Sequence, residues 1–201
     1  MHLGCCLMGV GQMQNDERLS SGLGSYRRVA QDLVGAVPEG GVLRLSVTSN
    51  SMRPLLRPGD MVVAEVIAPG ALQCGDIVVV RRDGELITHR FIMAGAQGWR
   101  TRGDNACGPD PAVAAQMIVG RGVTIERGDQ VIDLRLGRWP LLNRWLGRLG
   151  RIELRLWDTG RAMKRKGTLA LAGSRMAFIG SIAGWPLRTL NRVILSLAIE
   201  R

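Results

Sequence analysis

Lysine and histidine are scarce in this chain of 201 residues, and their scarcity restricts the chemistry available to it. The only lysines, Lys164 and Lys166, lie in a basic run far from the other polar motifs. A lysine general base therefore has no candidate in the first 163 residues. Apart from His2 at the terminus, His89 is the one histidine, so an imidazole base near neutral pH would have to be His89.

Metal-ligand patterns and long apolar segments are also scarce. The cysteines are Cys5, Cys6, Cys74 and Cys107. They show no metal-ligand spacing, and two adjacent cysteines do not readily bridge each other, so we expect no structural metal and no disulfide framework. No phosphate-binding glycine loop occurs either, and we expect no cofactor. The apolar stretch at residues 1–10 is too short to span a membrane, and residues 12–18 are too polar. We therefore expect no N-terminal signal peptide or anchor.

The chain does contain a serine, a histidine and two acids in one ordered series. Ser51 lies in a Ser-Asn-Ser-Met-Arg-Pro sequence and His89 in an Ile-Thr-His-Arg sequence. Asp104 belongs to an Arg-Gly-Asp-Asn sequence, and Asp110 follows it. A serine hydroxyl needs a nearby base to take its proton, and a carboxylate on the second ring nitrogen orients an imidazole base. Ser49, two residues before Ser51, is a candidate oxyanion donor beside the Ser51 backbone N–H.

These motifs, with a Gly-Asp-Ile-Val-Val segment before the histidine, resemble the signal peptidase I superfamily. The chain is similar to its archaeal and endoplasmic-reticulum branch, which uses histidine where the common bacterial enzymes use a lysine base. The resemblance covers roughly residues 43–125. It implies that Ser51 is the nucleophile and His89 the general base. It also implies that Asp110 is the orienting acid, with Asp104 as a supporting or competing carboxylate.

Each motif also has a purely structural interpretation. Ser49 and Ser51 before a proline are typical of a capped turn. A strand histidine such as His89 is often a satisfied structural residue. The Arg-Gly-Asp-Asn sequence is compatible with an ordinary turn in which Asp104 has no catalytic role. The order and spacing of the motifs, taken together, favour a functional site.

Short segments of alternating apolar and polar residues predict a mainly β fold. The resemblance implies that it is the β fold of signal peptidases and the related repressor proteases. Strands are predicted over residues 43–47, 61–66, 77–82, 85–92, 99–102 and 118–125. Asp83 and Gly84 predict a type I′ hairpin, because both central residues of that turn need positive φ. His89 would then lie on the returning strand. The absence of helices between these strands favours a β fold over an α/β sheet.

Charge divides the chain near residue 134. Residues 1–134 hold thirteen arginines against fourteen acids, whereas residues 135–201 hold fourteen basic residues against three acids. We predict an N-terminal segment over 1–40 that is partly disordered or helical. A β catalytic domain follows over 41–134, and a basic amphipathic helical tail over 135–201.

The tail shows a helical period. One predicted face consists of Leu142, Leu146, Leu149, Ile152 and Leu156 with Trp145 beside it, and the other of Arg144, Arg148, Arg151 and Arg155. Such a helix suits the interface of an anionic membrane, so residues 135–199 are expected to bind a membrane surface. The alternative is a helix that packs on the β body and exposes its arginines to water. Residues 169–187 are apolar but interrupted by an arginine and a proline, and are expected to associate with the membrane without spanning it.

Three classes of function fit these observations. The first is a serine endopeptidase at the bacterial inner membrane that cleaves signal or leader peptides after small residues, with a peptide or preprotein as substrate. The second is a self-cleaving transcriptional repressor of the lysine-dependent class. It is disfavoured by the histidine, by the lack of an Ala-Gly dipeptide before Ser51, and by the lack of a convincing helix-turn-helix before residue 43. The third is a non-enzymatic basic protein that binds lipid or, less expectedly, nucleic acid. It leaves the Ser-His-Asp series unexplained, and the sequence gives no oligomeric state.

Overall fold

A computed structural model describes residues 37–165 and Leu195 of the chain. Its strands are β1 (Val42–Ser46), β2 (Met61–Glu65), β3 (Ile77–Arg82), β4 (Glu85–Gly95), β5 (Gly98–Arg102), β6 (Ile118–Arg127) and β7 (Gln130–Asp133). One long helix, α1 (Trp139–Arg165), follows the strands, and short 3₁₀ turns occur at Pro69–Ala71 and Ala115–Met117. The predicted mainly β fold is confirmed, and β7 is the strand that the sequence pattern did not indicate.

The seven strands form one antiparallel sheet. The strand order is β1-β2-β6-β3-β4-β5, and β7 pairs with β6. Asp83 and Gly84, between β3 and β4, have φ values of 51° and 77°, so the predicted hairpin is confirmed. His89 lies in the middle of β4, opposite Val78 of β3. Since β4 pairs with strands on both sides, the backbone that carries His89 is held rigidly.

The larger apolar core joins the sheet to the turn that follows Ser51. Its buried residues are Met52, Leu55, Leu56, Val62, Ile77, Ile125, Leu134, Trp139, Leu146 and Leu195. The first three of these come directly after Ser51, so their burial fixes the turn that carries the serine. A smaller cluster of Val78, Val80, Phe91 and Ile118 lies elsewhere on the sheet.

Helix α1 packs on the β body through glycines. A Cβ at Gly75 would lie 2.0 Å from the carbonyl oxygen of Asn143, and one at Gly147 would lie 2.5 Å from the backbone nitrogen of Gly75. A glycine inside a helix costs about 1 kcal/mol relative to alanine. Here the missing side chain allows the helix backbone to contact the loop before β3 directly.

The structure divides the surface of α1 differently from the sequence pattern. Leu146 and Leu154 are buried, as are the polar residues Asn143 and Glu153. The arginines at 144, 148 and 155 are exposed, together with several apolar residues of the predicted apolar face. No helix in the described part of the chain is long and apolar enough to cross a bilayer. Residues 1–36 of the predicted N-terminal segment 1–40, and the predicted membrane-associated segment 169–187, lie outside the described residues.

Candidate active site

Ser51 and His89 are in contact. The Ser51 hydroxyl lies on the turn after β1, and its Oγ is 3.1 Å from Nε2 of His89. Ser51 is partly exposed, whereas the His89 ring is almost fully buried. A partly exposed hydroxyl that faces a buried imidazole can reach a substrate while its base stays fixed in position.

Asp110 contacts the other side of the same ring. Its Oδ2 is 2.5 Å from Nδ1 of His89 and also accepts a hydrogen bond of 2.7 Å from the Thr101 hydroxyl. An ionised carboxylate only accepts hydrogen bonds, so Nδ1 carries the proton and Nε2 of the neutral ring accepts from Ser51. This is the tautomer that a general base needs.

The surroundings of Asp110 keep its carboxyl ionised. Burial by itself would raise the pKa of Asp110, but the hydrogen bond from His89 opposes it, and the net pKa is lowered. The Thr101 hydroxyl and the positive charge of Arg82, 3.8 Å away, act in the same direction. Asp110 can therefore stabilise an imidazolium at neutral pH.

Asp104 takes part in a different interaction. Its two carboxylate oxygens each accept a hydrogen bond of 2.7 Å from the buried guanidinium of Arg90. Arg90 also donates to the carbonyl of Gly75 and, at 2.8 Å, to Oδ1 of Asn143 on α1. Of the two candidate acids, Asp110 therefore contacts His89. Asp104 instead pairs with Arg90, which in turn contacts α1.

Gly103 lies between the serine and the histidine. A Cβ at this position would be 2.7 Å from the Ser51 carbonyl oxygen and 3.1 Å from Nε2 of His89. The neighbouring Asn105 donates its backbone N–H to the Ser51 carbonyl at 2.8 Å. The Arg-Gly-Asp-Asn segment therefore packs directly on the serine turn, and only glycine fits at its closest point.

Ser49 lies next to the reacting hydroxyl. Its Oγ is 3.0 Å from Oγ of Ser51. A hydroxyl at this distance can turn toward an oxygen that develops charge beside Ser51. Within residues 37–165, no group of histidine, cysteine and acidic side chains is arranged to hold a metal ion.

Residues 3–132 match the family model described as Peptidase S24-like. The chain belongs to the Peptidase S24-like family. This family covers signal-peptidase-type enzymes and self-cleaving repressors, so the chain is related to serine peptidases of the superfamily that its motifs resemble. No curated protein matches the chain.

Several residues around the site of this S24-like protein were not indicated by the sequence. Thr101 and Arg82 contact Asp110, and Asn143 and Glu153 of α1 contact the buried arginines Arg90 and Arg102. A usable signal did exist for Arg90, because a charged residue beside the apolar part of a strand needs a partner when it is buried. The carboxylate partner of Arg90, Asp104, is fourteen residues away, whereas Asn143 and the Glu153 partner of Arg102 lie about fifty residues away and are not specified by local pattern.

Proposed function

We propose that this S24-like protein is a serine endopeptidase of the signal-peptidase type, from the branch with a histidine base. It cleaves signal or leader peptides after small residues, with Ser51 as nucleophile, His89 as general base and Asp110 as the orienting acid. The contact chain from Ser51 Oγ through the His89 ring to Asp110 carries this proposal, with distances of 3.1 and 2.5 Å. The histidine in place of a lysine supports the choice of branch.

The reaction starts when Ser51 Oγ attacks the scissile carbonyl carbon and its proton passes to Nε2 of His89. Asp110 stays ionised and stabilises the imidazolium. The oxyanion accepts hydrogen bonds from the Ser51 backbone N–H and the Ser49 hydroxyl. His89 then gives its proton to the leaving amine. In the second half-reaction His89 deprotonates a water molecule, which hydrolyses the acyl-enzyme and frees Ser51.

The proposal is tested with the purified full-length chain and synthetic peptides that carry an apolar leader segment followed by small residues. Mass spectrometry should show a single endoproteolytic cut after a small residue. Ser51→Ala and His89→Ala should abolish this cut, whereas Ser46→Ala, on the exposed side of β1, should leave it unchanged. Cleavage by Ser51→Ala at the wild-type rate would rule out the serine mechanism.

Self-cleavage is the second candidate, because the family also covers self-cleaving repressors. An intramolecular reaction would shorten the chain in a first-order process at a rate independent of protein concentration. Intact-mass measurements of the purified chain at several concentrations distinguish the two. We expect the chain to stay intact while added peptides are cut, and loss of a fragment from the chain itself would favour the repressor-like reaction.

The natural substrate can be found by comparing protein N-termini in cells with and without the active serine. A strain that carries Ser51→Ala should accumulate uncleaved leader peptides, identifiable by mass spectrometry. Only proteins whose new N-termini follow small residues in the wild-type strain are expected among the differences.

A further inference from the structure

The outer side of α1 carries a row of exposed apolar side chains. These residues, here called the outer row, are Leu141, Trp145, Ile152 and Leu156, with 65%, 60%, 50% and 49% of their surfaces exposed. Their spacing places them along one side of the helix over about 22 Å, at 1.5 Å per residue. Arg148 lies between Trp145 and Ile152 on this side. Single exposed apolar residues are ordinary, but four along one side of a helix are typical of a contact surface.

Exposed arginines accompany the outer row. Arg144, Arg148 and Arg155 are exposed, and the guanidinium of Arg148 lies 6.0 Å from the ring centroid of Trp145. Arg144 donates a hydrogen bond of 3.1 Å to the side-chain oxygen of Gln73. The outer surface of α1 therefore combines apolar area with positive charge.

The acids of α1 do not neutralise this charge. The helix contains two, Glu153 and Asp158. Glu153 is buried and paired with Arg102, and Asp158 lies 3.6 Å from Arg100, so both face arginines of β5. Within residues 37–165, no carboxylate pairs with Arg148 or Arg155. The separation of charge across the helix leaves its outer side basic.

We infer that the outer side of α1 docks on an anionic lipid bilayer. The outer row enters the boundary between headgroups and acyl chains, where tryptophan is favoured, and the arginines contact the lipid phosphates. The opposite side of α1 is fixed to the sheet through Asn143, Gly147 and Glu153, so the helix is held in position to lie flat on the surface. This inference does not depend on the peptidase activity.

The same features disfavour two other binding partners for the outer side of α1. A second copy of the chain packed symmetrically on this side would place like-charged arginines against each other, which is unfavourable at an interface. Nucleic acid would satisfy the arginines through its phosphates but would leave the outer row without an apolar partner. An anionic bilayer offers both negative charge and an apolar interior.

The test is co-sedimentation of the full-length chain with vesicles of phosphatidylcholine alone or mixed with an equal amount of phosphatidylglycerol. The wild-type chain should bind the mixed vesicles preferentially. Arg148→Gln with Arg155→Gln should weaken this binding about thirtyfold and reduce its salt dependence, because each basic residue near such a surface contributes about a factor of five. Trp145→Ser with Ile152→Ser should weaken binding at least about tenfold, even at low salt, through lost apolar burial.

Matched controls test whether binding depends on the outer side of α1 or on the total charge and apolar surface of the chain. Arg44→Gln with Arg135→Gln removes the same net charge at exposed, ion-paired positions outside α1. Val131→Ser with Leu136→Ser removes comparable exposed apolar surface. Both controls should bind like the wild type, and all variants should keep its unfolding midpoint. The inference is overturned if the helix variants bind as the controls do, or if the wild-type chain ignores anionic vesicles but dimerises or binds DNA through these residues.

Discussion

Replacing Glu153 by alanine should destabilise the protein strongly, because it leaves a buried guanidinium without its carboxylate. Glu153 and Arg102 form an ion pair in which the two side chains are only 9% and 5% exposed. Arg102 also donates a 3.2 Å hydrogen bond to the carbonyl of Ala106, whereas its Nε has no hydrogen-bond partner in the described residues. Water has little access to the position that Glu153 would vacate.

The size of the effect follows from this burial. Removing one partner of a buried ion pair typically costs about 3–5 kcal/mol. For a chain of this length, 1 kcal/mol corresponds to roughly 2–4 °C in Tm, so Tm should fall by about 6–20 °C. Turnover should fall as well, because Arg102 immediately precedes Gly103, the residue against Ser51 and His89.

Calorimetry and urea unfolding of the full-length variants measure the effect. Asp158→Ala is the matched control, since this acid is also on α1 and faces an arginine, but is 51% exposed at 3.6 Å. An exposed pair of this kind contributes about 0–1 kcal/mol. Glu153→Leu with Arg102→Met should recover much of the loss, because apolar residues can replace a buried pair. Equal unfolding midpoints for Glu153→Ala and Asp158→Ala would refute the packing of α1 on the site.

Three further outcomes follow from the site and from a second buried pair. Asp110→Asn should lower turnover roughly 100-fold or more with little loss of stability. Asp104→Asn should mainly lower the free energy of unfolding. If kinetics and urea unfolding gave the reverse ranking, Asp104 would be the orienting acid. Gly103→Ala should displace the serine turn and abolish most peptide cleavage, while Gly70→Ala, whose Cβ meets nothing within 4 Å, should cleave normally; equal activities would contradict the close packing. The pKa of Asp60 is lowered from its ordinary value of 3.8 because the hydrogen bonds from Arg127 and the Arg57 amide outweigh the effect of burial. The ionised Asp60 stabilises the folded protein above pH 3.8, and this stabilisation is lost as pH falls through the lower folded pKa. The Asp60→Asn variant should therefore be less stable at neutral pH and lose less stability on acidification. Parallel curves of unfolding midpoint against pH for the two proteins would contradict this.

Local sequence signals predicted six of the seven strands, whereas the pairing of His89 with Ser51 was implied by the family resemblance. Asp83 and Gly84 specify the hairpin by their conformational preference, and the alternation of β3 and β4 then sets the strand register. The role of each acid could not be predicted in the same way. Successive strand residues point to opposite faces, so His89 and Arg90 need different carboxylates. The path of the loop after β5 determines which acid pairs with His89 and which with Arg90. Residue spacing does not specify that path.

The sequence pattern of α1 indicated a helix but not the side by which it packs. Periodicity groups the apolar residues on one face, which we expected at a membrane or, alternatively, on the β body. The structure divides that face, because Leu146 is buried beside Asn143 and Glu153 while Trp145 and Ile152 are exposed. The reason is that the β body presents buried arginines to the helix, and these require polar partners. Because these polar contacts orient α1, several of its apolar residues remain on the outer side. The helix sequence alone does not predict this orientation.

The two opposite sides of α1 therefore make separable predictions. Inner-side variants such as Glu153→Ala should lower the unfolding midpoint. Outer-side variants such as Trp145→Ser with Ile152→Ser should keep the midpoint and lose binding to anionic vesicles, since their side chains are largely exposed. The outer-side variants should also cleave a soluble peptide at the wild-type rate, because none of their residues contacts the serine, the histidine or their partners. If the outer-side variants unfolded as readily as Glu153→Ala, the outer row would belong to the core, and its proposed contact with lipid would be excluded.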